Sequence, residues 1–214
     1  MTFNQLKPDQ IKWLKATVFA LCLIPLAHLI WLGTHHGLGA NPIEYITRST
    51  GFWTLTFLLI TLTVTPLRRL SGLNWLLRLR RMFGLYAFFY VSLHFTTYIW
   101  LDQFFDVPGM LKDIAKRPFI TVGFGAFVLL IPLAATSTNA MVKRLGARRW
   151  QLLHRFVYVI ATLGVLHFWW LVKKDITEPM IFGGLLVVLL LARLIYTARR
   201  ASAATRPAAS SQTA

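Results

Sequence analysis

The sequence predicts an all-α integral membrane protein: a bundle of six transmembrane helices with both termini in the cytoplasm. Three observations lead there. The 214 residues are 56% hydrophobic and 14% charged, against about 25% charged in ordinary soluble domains, and the mean hydropathy is +0.57. Charge is segregated, with long uncharged stretches between short basic clusters. The uncharged stretches also have the length of a membrane span, about 20 residues with a range of about 17–25. Helices are the form they must take, because lipid offers no water to backbone polar groups.

Residues 1–15 are polar and read as a cytoplasmic N-terminal segment with no cleavable signal peptide. A six-helix domain over 16–198 follows. Its first span, 16–32, is uncharged and carries the only cysteine, Cys22, which leaves no intrachain disulfide. The second span, 49–67, and the third, 82–101, are uncharged as well. The stretch 118–142 is longer and is expected to leave the membrane near Ala135. The fifth span is 156–172, and the sixth, 179–198, is interrupted only by Arg193. Pro25, Pro66 and Pro132 lie inside or at the ends of spans, where they kink or end helices. Residues 102–118 predict a short surface helix over 110–116. In 137–150, Ser137 or Thr138 is a candidate N-cap of a short amphipathic helix and Gly146 its end. Residues 199–214 are small and polar and predict a disordered cytoplasmic tail. With no GxGxxG and no P-loop, no soluble nucleotide-binding domain is expected.

Orientation follows from the basic residues, since positively charged loops stay in the cytoplasm. One side holds Lys7, Lys12 and Lys15, then Arg68, Arg69, Arg78, Arg80 and Arg81, then Lys143, Arg144, Arg148, Arg149 and Arg155, then Arg193, Arg199, Arg200 and Arg206. The other holds only Arg48, Lys112, Lys116, Arg117, Lys173 and Lys174. Of the acids, only Asp9 falls on the basic side. All eight tryptophans lie near span ends, as interfacial aromatics do. The net charge of +16 is thereby accounted for by anionic lipid at the cytoplasmic surface rather than by nucleic acid.

The chemistry lies in the histidines. His35 and His36 sit in a polar loop, GTHHGLG, just outside the first span. His28, His94, His154 and His167 lie in or at the edge of spans, where ionisable residues are rare and face the bundle interior. His94 lies twelve residues beyond Met82 and His167 eleven beyond Phe156, so both are roughly 16–18 Å deep at the helical rise. His154 lies at the cytoplasmic edge of the fifth span, roughly 20 Å from His167 along a straight helix. One iron cannot take both. A bis-histidine haem can take His94 from one helix and His167 from the other, with a second redox site at His154. Proton relay and polar packing are the alternative uses of such residues. Phe88, Phe89, Tyr90, Phe95, Tyr98, Tyr158, Phe168 and Trp169 are candidates to line a porphyrin, or ordinary lipid and core contacts.

The stretch PLAATSTNAMVKRLGARRWQLLHRFVYVIATLGVLHFWW resembles the ferric-reductase-like transmembrane domain, carried by W-x-x-L-H-R (Trp150, Leu153, His154, Arg155) and the histidine thirteen residues on. RRMFGLYAFFYVSLHFTTYIW resembles its partner helix, with His94. Small size and six spans bring the resemblance, over roughly residues 10–200, to the haem-binding membrane subunits of bacterial methionine sulfoxide reductase systems. It implies a cytochrome b-like subunit of the inner membrane with one or two haems b. It implies electrons from the quinone pool or a cytoplasmic flavin reductase, and delivery to a periplasmic molybdopterin subunit, MsrP, that repairs oxidised envelope proteins. FMN is implied as well, although no motif in the sequence marks a site for it. Two-haem members of the superfamily carry another histidine one haem-spacing before the third-helix histidine. Here that place is held by Arg80 and Arg81, so His154 lacks its expected second ligand; with Arg155, these arginines are candidates for haem propionates or plain topology signals. His28 lies at nearly the depth of His94 but off the family's ligand helices. Two alternatives stay open: a stand-alone quinol-linked ferric reductase, and a haem-free transporter or proton channel.

Overall fold

A computed structural model describes residues 6–172 and 174–204, and among them every regular element is helical. The long helices are α1 (Pro8–Thr34), α2 (Pro42–Ser71), α3 (Leu77–Thr97), α5 (Pro118–Ala135), α8 (Phe156–Leu171) and α9 (Thr177–Ala204). Shorter ones are α4 (Val107–Lys116), α6 (Asn139–Leu145) and α7 (Ala147–His154).

Local chemistry sets the boundaries. Asn41 caps α2 by accepting from the Glu44 N–H at 3.2 Å, Pro42 opens it, and Gly72 closes it in the left-handed conformation at φ 72. Thr138 caps α6 by accepting from Met141 N–H, and Gly146 at φ 75 ends it. The surface helix expected over 110–116 begins at Val107, because Asp106 caps it through Gly109 N–H at 3.1 Å. The fourth long stretch ends at Ala135, as its sequence suggests.

Among the described residues, five segments are long and apolar enough to cross a membrane: Pro8–Thr34, Pro42–Ser71, Pro118–Ala135, Ala147–Leu171 and Thr177–Arg199. α3 is 21 residues long, but its helix starts in the basic cluster with Arg78, Arg80 and Arg81 and is diluted below the others by them. α1 and α9 also overrun the expected edges. α1 starts inside the polar segment 1–15, and α9 continues past 198. The rest of the expected tail, residues 205–214, lies outside the described residues, as do 1–5 and Lys173.

α2, α3, α5 and α8 form the centre. α2 packs on α3 and α5 on α8, with α9 against α2 and α8, and α1 against α2 and α3. The core joins Leu55, Phe57, Leu58, Leu62, Tyr90, Leu130, Ile160 and Leu186, with Ala87 and Ala161 fully buried. In α1 and α9 only 11% and 6% of the most apolar window is buried within the chain. Apolar faces so large are covered by lipid, since water-exposed patches of that extent drive association.

α1 is tied to α3 by hydroxyls. Tyr86 donates to Phe19 C=O at 2.9 Å. The Tyr90 hydroxyl donates to Cys22 C=O at 2.9 Å and accepts from Leu26 N–H at 3.2 Å. It thus enters the helical ladder beside Pro25, whose missing N–H already opens that turn.

Candidate functional site

The ends of α3 and α8 bring two imidazoles together. The rings of His94 and His167 have centroids 6.2 Å apart and planes at 84°. Each ring is held from behind by a helix other than its own. His94 Nδ1 donates to Thr47 C=O of α2 at 2.9 Å, and His167 Nδ1 donates to Phe119 C=O of α5 at 2.7 Å. A carbonyl only accepts, so each Nδ1 carries the proton and each Nε2 keeps its lone pair. An imidazole held through Nδ1 in this way could offer its Nε2 to a metal. The 6.2 Å separation leaves room for the two rings to hold one metal ion between them. Among the described residues no group of three or more His, Cys, Asp or Glu side chains converges as a metal site.

The surroundings are aromatic. Phe119 lies 6.3 Å from the His167 ring, and Phe95 packs on Phe127 and Phe124 at 4.6 and 5.8 Å. Next to His94 the chain leaves the α geometry. Tyr98–Asp102 is a π-helical turn, a feature frequent at functional sites. Its first residue, Tyr98, buries a hydroxyl with no hydrogen-bond partner. A buried tyrosine hydroxyl usually has one. Asp113, paired to Arg117 at 3.3 Å, is a charged neighbour of that hydroxyl.

The other aromatic candidates divide. Phe88 stacks on Phe127 and Phe168 meets Phe182 edge-on. Tyr90 is committed to α1, Tyr158 lies under the Arg193 guanidinium at 4.5 Å, and Phe89 and Trp169 are exposed.

His154 stands apart at the C-terminal end of α7, and Arg155 interrupts the helix before α8 begins. The interruption is a single residue that keeps helical angles (φ −68, ψ −22), so Ala147–Leu171 still runs as one long segment carrying both His154 and His167. The His154 ring stacks on Trp150 at 3.8 Å, with Nδ1 3.1 Å from Trp150 C=O and Nε2 3.4 Å from the Ser137 hydroxyl. Arg80 and Arg81 are its charged neighbours. Arg81 donates to the Asn139 side chain at 2.6 Å, Arg80 lies beside Tyr158 and Arg193, and Arg155 is exposed.

His28 is exposed on α1, 6.3 Å from Trp31. His35 and His36 are exposed after α1, with His35 Nδ1 2.9 Å from Trp31 C=O. Sequence reasoning names Tyr98 only as a candidate lining aromatic and misses the Thr47 and Phe119 carbonyls, which carry no side-chain signature.

The family described as "Ferric reductase like transmembrane component" matches residues 50–165. A "Protein-methionine-sulfoxide reductase heme-binding subunit MsrQ" from Herminiimonas arsenicoxydans is 60% identical over 204 residues, covering 94% of this chain and 93% of the relative. The protein of the same name from Ralstonia nicotianae is 57% identical over 189 residues, 87% of each chain. That from Azospira oryzae is 55% identical over 194 residues, 89% of this chain and 82% of the relative. Likeness of this depth along nearly the whole chain, over the segment that contains His94 and His154, means that the chain belongs to the MsrQ family of ferric-reductase-like transmembrane components.

Proposed function

We propose that this chain holds haem b between His94 and His167 and passes electrons across the bacterial inner membrane to a periplasmic molybdopterin reductase, MsrP, which repairs methionine sulfoxide in envelope proteins. The observation that carries the reading is the pair of opposed imidazoles 6.2 Å apart. The names of the relatives, heme-binding subunits of a protein-methionine-sulfoxide reductase, point the same way. In this reading α3 is the sixth crossing and both termini are cytoplasmic, which puts the pair near the periplasmic face. Electrons arrive from the quinone pool or a separate cytoplasmic flavin reductase. His154, at the opposite end, is the single protein contact of a second redox group, haem or FMN.

Bound haem supplies a one-electron couple. The chain does the rest. The Thr47 and Phe119 carbonyls fix both imidazoles as Nδ1–H tautomers and strengthen them as ligands. Phe119 sets apolar surface beside the His167 ring, which helps exclude water there.

The test is a reduced-minus-oxidised spectrum of purified protein, for the native chain and for His94→Ala and His167→Ala. The native protein should show the Soret and α-band changes of low-spin haem b, and each variant should lose them. Full retention in both variants overturns the assignment, and a native protein without haem would favour a transporter or proton channel. Reconstitution with and without MsrP separates electron delivery from a stand-alone quinol-linked ferric reductase.

A further inference from the structure

The two carbonyls that hold the imidazoles share a feature. Thr47 C=O accepts from His94 and also, at 3.0 Å, from the Thr50 hydroxyl, which donates at 2.8 Å to Ile46 C=O; four residues after Thr47, α2 carries Gly51. Phe119 accepts from His167, and four residues later α5 carries Gly123. In an α-helix the Cα–Cβ bond tilts toward the N-terminus, so the side chain at position i+4 lies over the turn containing the carbonyl of residue i. That carbonyl already accepts the i+4 N–H. Its second lone pair is open to an outside donor only when nothing covers it.

The two imidazoles lie where the missing side chains would be. A Cβ on Gly123 would stand 2.6 Å from His167 Nδ1 and 2.8 Å from its Cε1. A Cβ on Gly51 would stand 3.1 Å from both Nδ1 and Cε1 of His94. The neighbouring glycine on α5 differs: a Cβ on Gly125 meets nothing within 4 Å. α5 therefore does not need glycine for close packing in general. It needs it where the ring approaches.

The geometry points to Gly51 and Gly123 as positioning residues for the ligand pair. Each opens a notch over a helical carbonyl that seats one imidazole, fixes its tautomer and aims its Nε2 at the metal. The inference rests on the haem reading above. It adds that α2 and α5, which supply no ligand, set the ligand geometry through their backbones.

Glycine inside a helix costs roughly 0.5–1 kcal/mol relative to alanine. If these glycines were only spacers, alanine would be neutral or stabilising. The notch reading expects the reverse, graded by the two clearances. Partners behind metal ligands typically affect metal affinity 10–100-fold when disturbed. Gly123→Ala, with a contact no Cβ sustains, should therefore release haem to a scavenging apo-globin about tenfold faster or more. It should also convert part of the low-spin signal to high-spin in electron paramagnetic resonance. Gly51→Ala, where the ring must give by a few tenths of an ångström, should show a smaller change in the same direction. Gly125→Ala is the control and should match the native protein.

Thermal unfolding of the haem-free forms is measured alongside. A Gly123→Ala protein that does not fold leaves the decision to Gly51→Ala against Gly125→Ala. The notch reading is overturned if Gly51→Ala and Gly123→Ala keep native release rates and spin state. It is also overturned if Gly125→Ala changes as much as they do. In either case His94→Ala and His167→Ala report separately: if they still abolish the haem, the haem assignment stands and the notches fall alone.

Discussion

Tyr90→Phe isolates the hydroxyl that joins α1 to the bundle. Tyr90 is 1% exposed, and its ring stacks on Phe57 at 5.3 Å, so phenylalanine keeps the packing and removes one oxygen. Cys22 C=O and Leu26 N–H of α1 then each lose a hydrogen bond. Each buried polar group left unsatisfied costs about 1–3 kcal/mol. Their helical i→i+4 pairing can recover part of this. We expect a net loss of about 1–3 kcal/mol, which at this chain length lowers the Tm by about 2–4 °C per kcal/mol. The sole cysteine supplies a local probe. Cys22 is 4% exposed, and loosening α1 should raise its rate of modification by a membrane-permeant maleimide. Purified protein in detergent is compared with Tyr90→Phe for Tm, thiol modification and haem spectrum. Haem should be unaffected, because α1 contributes no ligand. An unchanged Tm together with an unchanged thiol rate would refute the bridging role.

His154→Ala should keep the low-spin spectrum of the His94–His167 site, because His154 engages Trp150 and Ser137 rather than that pair; loss of the whole spectrum would count against separate sites. Gly146→Ala replaces glycine at φ 75 and ψ 152, a region essentially confined to glycine. It should cost about 1–3 kcal/mol, seen as faster limited proteolysis between α6 and α7; native resistance would count against strain there. Asp106→Ala removes the cap of α4 and should weaken that helix by about 0.5–2 kcal/mol, read as faster amide exchange over Val107–Lys116 with the rest of the chain unchanged.

How far the site could be read in advance depends on which coordinate of a helix is asked for. Depth along a span is legible, because the rise per residue is constant. Counting from Met82 and Phe156 places His94 and His167 at one level, and their rings lie 6.2 Å apart. Caps are legible for a similar reason: Thr138 and Gly146 act through their own side-chain chemistry within one turn. Rotation about the axis is not legible in a helix that is apolar on every side. By depth His28 competes with His94, yet the structure leaves it exposed on α1. Tyr90 reads as a porphyrin contact by composition, but it faces α1 and is committed there. Amphipathic soluble helices carry their phase in the polar face, whereas a span in lipid has no such mark. Here the phase is marked from the partner helices. The open carbonyls of α2 and α5 decide which imidazoles can be seated, and a glycine four residues after each carbonyl is the only trace this leaves in the sequence. In this bundle the glycine spacing on helices that bear no ligand carries the rotational information that the ligand-bearing helices lack.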